Sequence, residues 1–312
     1  MKRKLRLALL AGGKSGEREV SLKGAEEIYK ALDKNKYDIT RYDPATDLAK
    51  LAAAAENVDV AFVLLHGRFG EDGTMQGFLD MLGIPYQGAG VLGSAMAMDK
   101  NIAKIMYRQV GLQVPEWIML DGSHADPVGE VLDHLQLPVV IKPLRQGSSL
   151  GMSIPATEAD LRTGLARAFQ YDDQVMVEKF IAGREITVGV IGNDELTPLP
   201  LVEIIPGDTY AFFDYEAKYQ PGATREICPA EVPANITEIA RQWGLIAHRA
   251  LQLRGYSRTD MIVADHELYV LETNTIPGMT PTSLLPQAAA VYGLSFAELL
   301  DRLIELALET KA

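Results

Sequence analysis

Between Leu5 and about Gln87, short apolar runs alternate with amphipathic stretches. The run Leu7 to Ala11 precedes a helical pattern over Val20 to Leu32, and the run Val60 to Leu65 precedes another over Thr74 to Leu82. That alternation predicts a parallel sheet with helices on its faces. In such sheets ligands bind where the carboxyl ends of the strands open into loops. Two loops at those ends are charged and glycine-rich: AGGKSGERE from Ala11 to Glu19, and HGRFGEDG from His66 to Gly73. A further helix is predicted from about Ser94 to Val110, ended by Gly111 and Pro115. From Val139 onward the strand patterns lengthen, and no repeat interrupts them. The stretch Ile205 to Pro229, rich in Gly, Pro, Asp and aromatics, has neither helical nor strand period. Loops of that length usually serve as lids or binding loops. An amphipathic helix is predicted from Ser295 to Leu308.

With 312 residues, 47% of them hydrophobic, the chain can bury more core than one average domain holds, so two or three packed domains are expected. Its 42 acidic and 30 basic residues give a net charge of −12, and no Lys/Arg block of five or more is present. Nucleic acid and anionic lipid are therefore not expected partners. The single cysteine, Cys228, can form no internal disulfide and fits a reducing compartment. Met1-Lys-Arg-Lys followed by Leu5 to Ala11 superficially resembles a secretory leader. Arg6 interrupts the apolar run, however, and Lys14, Glu17, Arg18 and Glu19 follow it, so it reads better as a first buried strand. No stretch approaches the roughly 20 apolar residues a bilayer span needs.

The most informative chemistry lies in RTDMIVADHELYVLETNTIPGM, Arg258 to Met279. Two apolar stretches flank the polar turn Asp265-His266-Glu267, and a hairpin centred on His266 sets Asp260 opposite Glu272. Opposed side chains share a face with Cβ atoms roughly 4.5–5.5 Å apart, and Asn274 joins that face two residues on. Two carboxylates and an amide oxygen are thus expected together, with no cationic partner in the adjacent positions. Such hard oxygen donors suit Mg²⁺ held jointly with nucleotide phosphates, although a solvated acidic strand face would show the same residue types.

VVIKPLRQGSSLGMSI, Val139 to Ile154, reads strand, Lys142-Pro143, Gly/Ser turn, strand, and it lacks the P-loop spacing. Small residues there can bring backbone N–H groups and hydroxyls to phosphate oxygens, but a simple turn looks alike. Lys142 carries more information, because a half-buried ammonium at a strand end requires an anionic partner. A phosphate would supply one. In VMVEKFIAGREITVGVIG, Val175 to Gly192, Glu178 and Lys179 close one strand and Glu185 opens the next. These three are candidate nucleotide contacts, or equally surface charges.

The order of these signals resembles that of the ATP-grasp enzymes, and over nearly the whole chain it resembles the D-alanine-D-alanine ligases. GGKSGEREVS (Gly12 to Ser21), HGRFGEDGTMQG (His66 to Gly77) and the MDK of Met98 to Lys100 look like that family's signatures. So do IKPLRQGSSLGMS (Ile141 to Ser153), DYEAKY (Asp214 to Tyr219) and LETNTIPGMTPTSL (Leu271 to Leu284). The resemblance implies an α/β and α+β architecture: an N-terminal α/β domain with a parallel sheet (1–97), then two mixed domains clasping ATP (98–182 and 183–312). It implies a cytoplasmic enzyme, a homodimer, that uses ATP and two Mg²⁺ (or Mn²⁺) to join D-alanine to D-alanine for peptidoglycan precursors.

Residue by residue, the resemblance assigns Glu17 to the ammonium of the first D-alanine and His66 to that substrate's side of the pocket. Lys100, Lys142 and Lys218 resemble the lysines on ATP phosphates, with Ser148 and Ser149 over them. Glu178, Lys179 and Glu185 match nucleotide contacts, while Asp260, Glu272 and Asn274 match the metal ligands. Arg258 and the Gly278 N–H match groups facing the acyl phosphate and the tetrahedral intermediate. Ser283 and Leu284 match the seat of the second carboxylate. Tyr219 points to an amine acceptor, its phenol expected to bridge Glu71 and Ser148. Gln146, Thr259 and Phe69 depart from the family's usual residues. A dehydrogenase, suggested by the N-terminal α/β pattern and GGKSG, would need the G-x-G-x-x-G spacing that this first loop lacks, and it would leave the acidic hairpin unused. A non-catalytic nucleotide-binding module would have no reason to retain both carboxylates, Asn274, Arg258 and the lysines. An ATP-grasp ligase with a different acceptor, D-lactate, D-serine or another amino acid, remains the nearer alternative.

Overall fold

In a computed structural model, residues 3–207 and 224–309 are described. The N-terminal part is a parallel sheet in the order β2-β1-β3, formed by β1 (Leu5–Ala11), β2 (Tyr37–Tyr42) and β3 (Val60–Leu64). Strands β1 and β3 are buried nearly throughout because helices cover both faces. Helix α1 (Arg18–Ala31) packs on β1 and β3, and α3 (Thr74–Met81) follows the second charged loop. The alternation read from the sequence is therefore correct but incomplete. It missed β2 and the short α2 (Leu48–Ala53). Strand β2, YDITRY, pairs along one edge only and keeps polar residues along its length, so it lacks the apolar run that marks its neighbours.

The predicted helix from Ser94 to Val110 is two helices, α4 (Val91–Met98) and α5 (Lys100–Gln109). Asp99 divides them. Its backbone is extended, and its carboxylate accepts from the N–H groups of Asn101 at 3.1 Å and Ile102 at 3.0 Å, which caps α5.

A second sheet runs β4-β6-β5, all antiparallel, from β4 (Trp117–Asp121), β5 (Val139–Pro143) and β6 (Gln174–Lys179). Helices α6 (Pro127–His134) and α7 (Glu158–Ala168) bury one of its faces, where Leu120, Val139, Ile141, Val175 and Val177 meet Val131 and Leu165. Because side chains alternate, Trp117, Lys142, Met176 and Glu178 occupy the opposite face. The strand expected after the Gly/Ser turn is reduced to one bridge, Ile141 with Ser153.

The third sheet runs β10-β9-β7-β11-β12, with the two-residue β8 (Thr197–Pro198) beside β7 (Arg184–Gly192). Its longest members are β7, β11 (Gly255–Ala264) and β12 (Glu267–Asn274); the lengthening read from Val139 onward holds for these three, while β5, β9 and β10 stay short. Both ends of the supposed aperiodic stretch are strand: β9 (Val202–Pro206) pairs antiparallel with β10 (Thr224–Ile227). Four residues with intermediate or full exposure carry too little hydrophobic contrast to show a period. Residues 208–223 of that stretch, with Lys218, Tyr219 and DYEAKY, lie outside the described residues. Helix α8 (Ala234–Ala250) packs on β7 and β11; α9 (Leu284–Tyr292) and α10 (Phe296–Glu309) complete the chain's described part. Tyr37 donates its phenolic hydrogen to Asp301 at 2.8 Å, tying α10 to the parallel sheet.

Candidate active site

Strands β11 and β12 set Asp260 directly opposite Glu272 and Arg258 opposite Asn274. The predicted register is right for a reason the sequence reading lacked. Asp265 (φ 47) and His266 (φ 69) are both left-handed, as a two-residue turn requires, so the hairpin is centred between them. A bulge between Asp260 and Met261 then shifts the pairing by one residue and restores Asp260 to Glu272.

The expectation of no cation beside these carboxylates is wrong. Arg258 lies two residues from Asp260 on the same face and forks onto it, Nε to Oδ1 at 2.9 Å and Nη2 to Oδ2 at 2.7 Å. Thr187 Oγ1 donates to the same carboxylate at 2.6 Å and Asn274 Nδ2 at 3.0 Å. Burial works against the Arg258 guanidinium, but Asp260, with Glu272 and Glu185, more than offsets it and holds the group firmly protonated. Thr259, which departs from the family's usual apolar residue, is fully buried and reaches Thr273 Oγ1 at 3.0 Å; Tyr107 donates to that same oxygen at 2.7 Å. The extra hydroxyl is therefore satisfied within the core.

Two cavities border this hairpin. The first takes in Lys142, Ser149, Glu178, Lys179, Glu185 and Asp260. The second takes in Glu17, His66, Asn274 and Arg258, together with Gly278, Ser283 and Leu284. Lys100, Gln146, Ser148 and Glu272 line both, so the cavities meet at an ammonium, a hydroxyl and a carboxylate. Each described residue assigned a catalytic, substrate, nucleotide or metal role from the sequence thus borders one cavity or the other, whereas Thr259 and Phe69 border neither.

In the first cavity Lys142 does find an anionic partner, and that partner is Glu178, with Nζ against Oε1. Lys100 Nζ donates to the carbonyl oxygens of Leu144 at 3.2 Å and Gln146 at 2.6 Å, which anchors the start of the Gly/Ser loop. Within that loop Ser148 (φ 50) and Ser149 (φ 57) are both left-handed. Non-glycine residues in that region cost about 1 kcal/mol or more each, and such strain gathers where backbone N–H groups must be aimed.

In the second cavity Glu17 stands at the N-terminus of α1, buried, and accepts from Ser148 Oγ. A side chain on Gly67 would meet Glu17 Oε2 at 3.0 Å, and one on Gly147 would meet it at 3.1 Å. Glycine at both places lets the two glycine-rich loops close on one carboxylate. Burial lowers the pKa of His66 despite the nearby Glu17 charge, leaving a neutral imidazole at neutral pH. Glu71 accepts from the Gly67 N–H at 2.7 Å. Burial, reinforced by Glu17, pushes its carboxyl up to about 8.

That shift has a defined sign. Between the ordinary 4.5 and about 8, folded Glu71 keeps a proton that the unfolded chain has released. Unfolding free energy should therefore fall as pH rises through that window. Glu71→Gln should flatten the fall, as read by chemical denaturation at its two ends; an unchanged slope would contradict the assignment.

Sequence reasoning missed two side chains here. Glu226 on β10 borders the second cavity, and a four-residue strand after a long loop gave no signal for it. Lys104 lies one turn beyond Lys100 on α5, fully buried. Its spacing from Lys100, with Ala103 and Tyr107 on the same apolar face, was the available signal.

A cleft clasped between two antiparallel sheets, beside a parallel α/β part, defines the ATP-grasp class of ligases. Two family models match the chain, the D-ala D-ala ligase N-terminus over residues 40–89 and the D-ala D-ala ligase C-terminus over residues 106–305. The chain is 57% identical to a D-alanine--D-alanine ligase of Syntrophobacter fumaroxidans over 306 residues, covering 98% of each. Among solved structures, a Bacillus anthracis D-alanine--D-alanine ligase complexed with ATP superposes with a TM-score of 0.84 at 36% identity, covering 98% of each chain. A D-Ala:D-Ser ligase from Enterococcus faecalis gives a TM-score of 0.84 at 30% identity, covering 98% of this chain and all of that one. The chain belongs to the D-alanine-D-alanine ligase family.

Proposed function

We propose that this chain joins two D-alanine molecules to D-alanyl-D-alanine at the expense of ATP, through a D-alanyl phosphate. The observation that carries the reading is the meeting of the two cavities at Lys100, Ser148 and Glu272. A nucleotide seated in the first would present its terminal phosphate where an amino acid in the second presents its carboxylate.

A carboxylate is inert to an amine. Its oxygen must first attack the terminal phosphorus, releasing ADP, before the second amino acid's amine can attack the carbonyl carbon and release phosphate. Lys142, Lys100 and Arg258 meet the negative charge that triphosphate and carboxylate bring together, and fixed charges of that kind dominate phosphoryl transfer. Asp260, Glu272 and Asn274 offer two carboxylates and an amide on one cross-strand patch, a donor set that fits Mg²⁺. Among the described residues no group of three or more His, Cys, Asp or Glu is placed to hold a metal ion, so this donor set would need phosphate oxygens to complete a shell. When bound, Mg²⁺ would offset phosphate charge and orient the leaving group.

Glu17 takes the ammonium of the first D-alanine, beside neutral His66, which adds no competing positive charge. Ser283 and Leu284 open α9 into the second cavity, and the free N–H groups of a helix start suit a carboxylate. The proposed domain limits remain 1–97, 98–182 and 183–312, and Lys218 and Tyr219 keep their proposed roles on phosphate and acceptor. Among the described residues no helix is long and apolar enough to cross a membrane. A cytoplasmic homodimer making peptidoglycan precursors is the setting this reading implies.

Phosphate release from ATP, followed across D- and L-amino acids, D-lactate and D-serine with product masses recorded, tests the reading. D-alanine alone should support rapid release and yield the dipeptide. A preference for D-serine or D-lactate as second substrate would replace the acceptor assignment. Glu17→Gln should raise KM for the first amino acid by about tenfold or more, the worth of one charge-assisted hydrogen bond, with KM for ATP little changed. A rise confined to ATP would place Glu17 elsewhere in the site.

A further inference from the structure

Helix α5 carries Lys100 at the junction of the cavities and Lys104 one turn further, behind the cavity wall. Lys104 is 1% exposed, packed between α5 and the inner face of the β4-β6-β5 sheet, with Nζ 5.7 Å from the Trp117 ring centre. An ammonium in such a place is costly unless a counter-charge touches it. Glu178 supplies that charge, with Oε2 2.8 Å from Lys104 Nζ, while Oε1 of the same carboxylate meets Lys142. One buried carboxylate therefore holds two ammonium groups. A single lysine would have sufficed to neutralise it.

The two lysines face different ways. Lys142 and Glu178 border the nucleotide cavity, and Lys104 does not. Burial pushes the Lys104 ammonium down against the pull of Glu178, and the two lysines together overcome burial to hold Glu178 at about 2. Glu272 and Glu185 are the other charges acting on this group. Were Lys104 absent, moving Lys142 onto a phosphate would leave Glu178 buried and unpaired, so Lys142 would be retained by Glu178. With Lys104 in place, Lys142 can leave and Glu178 keeps a partner.

We propose that Lys104 is a positioning residue for nucleotide binding: by holding Glu178 Oε2 from behind the wall, it frees the Lys142 ammonium for ATP phosphates. This rests on the first cavity being the ATP site, as proposed above. Binding can be read without ligation, so the two readings fail separately.

The test measures dissociation constants for ATP and for inorganic tripolyphosphate, which has no base, in wild type, Lys104→Met and Lys104→Met/Glu178→Gln. Lys104→Met should weaken both ligands by about tenfold or more, the scale of one lost contact to a charged group. Its KM for D-alanine should stay within about twofold, a loss below the worth of one hydrogen bond. The double variant should regain tripolyphosphate binding, because Lys142 is no longer held. A purely structural Lys104 would give no such recovery. If Lys104→Met does not fold, the double variant is compared with wild type directly, and comparable tripolyphosphate binding supports the proposal. Wild-type tripolyphosphate affinity in folded Lys104→Met, or a double variant as weak as the single, overturns it. A wild-type protein that binds no ATP would overturn this proposal and the ATP-site reading together, whereas ATP binding without ligation would overturn the proposed reaction alone.

Discussion

Glu272→Gln should lower kcat for dipeptide formation by at least about a thousandfold while leaving the fold intact, a loss typical of removing a group that stabilises transferring charge. Glu272 borders both cavities and stands opposite Asp260, where the terminal phosphate and the first carboxylate would meet. Glutamine keeps the shape and removes the charge. Its strand pairs along its length with β11, so backbone order does not depend on this side chain. The expected signature is therefore a lost rate with Tm close to wild type and ATP still bound. Near-normal turnover in that variant would remove Glu272 from the reaction centre.

Arg258→Met should damage both activity and stability. The guanidinium forks onto Asp260 within a part of the sheet where both side chains are largely buried. Breaking a buried ion pair by removing one partner costs about 3–5 kcal/mol, because the other charge is left behind. Thr187 and Asn274 still donate to Asp260, which places the expected loss towards the lower end. The catalytic loss should exceed what instability explains: kcat should fall by about a hundredfold or more at temperatures where the variant is folded, since the positive charge facing the acyl phosphate is gone. Denaturation and single-turnover rates on the same preparation separate the two effects. A folded variant with unchanged kcat would leave Arg258 a purely structural partner of Asp260.

The parallel sheet was legible because β1 from Leu7 onward and β3 are continuous apolar runs followed by helical periods, and β2 was not, because an edge strand needs no such run. The pairing of Asp260 with Glu272 was legible from sequence symmetry, yet it depends on a bulge that no residue type announces. Arg258 could have been placed on Asp260 from spacing alone, since residues two apart on a strand share a face. Lys142 was correctly judged to need an anion; that Glu178 supplies it follows from a sheet register that the sequence does not show. Asp99 interrupts what looked like one helix because a carboxylate with an extended backbone serves better as a cap than as a helical residue. The resemblance placed Glu17 and Ser148 in the site separately; their convergence with Gly67 and Gly147 was not legible, since only the tertiary fold brings those loops together.

The claim that ATP activates one carboxylate for attack by a second amine is tested most directly with D-alanine carrying heavy oxygen in its carboxylate. The enzyme is supplied with this substrate, unlabelled ATP and ordinary water, and the masses of released phosphate and dipeptide are read. An acyl phosphate transfers one carboxylate oxygen to phosphorus, so each phosphate should carry one heavy oxygen for each dipeptide formed. Dipeptide formed with unlabelled phosphate, or ATP cleaved without any dipeptide, would contradict the account.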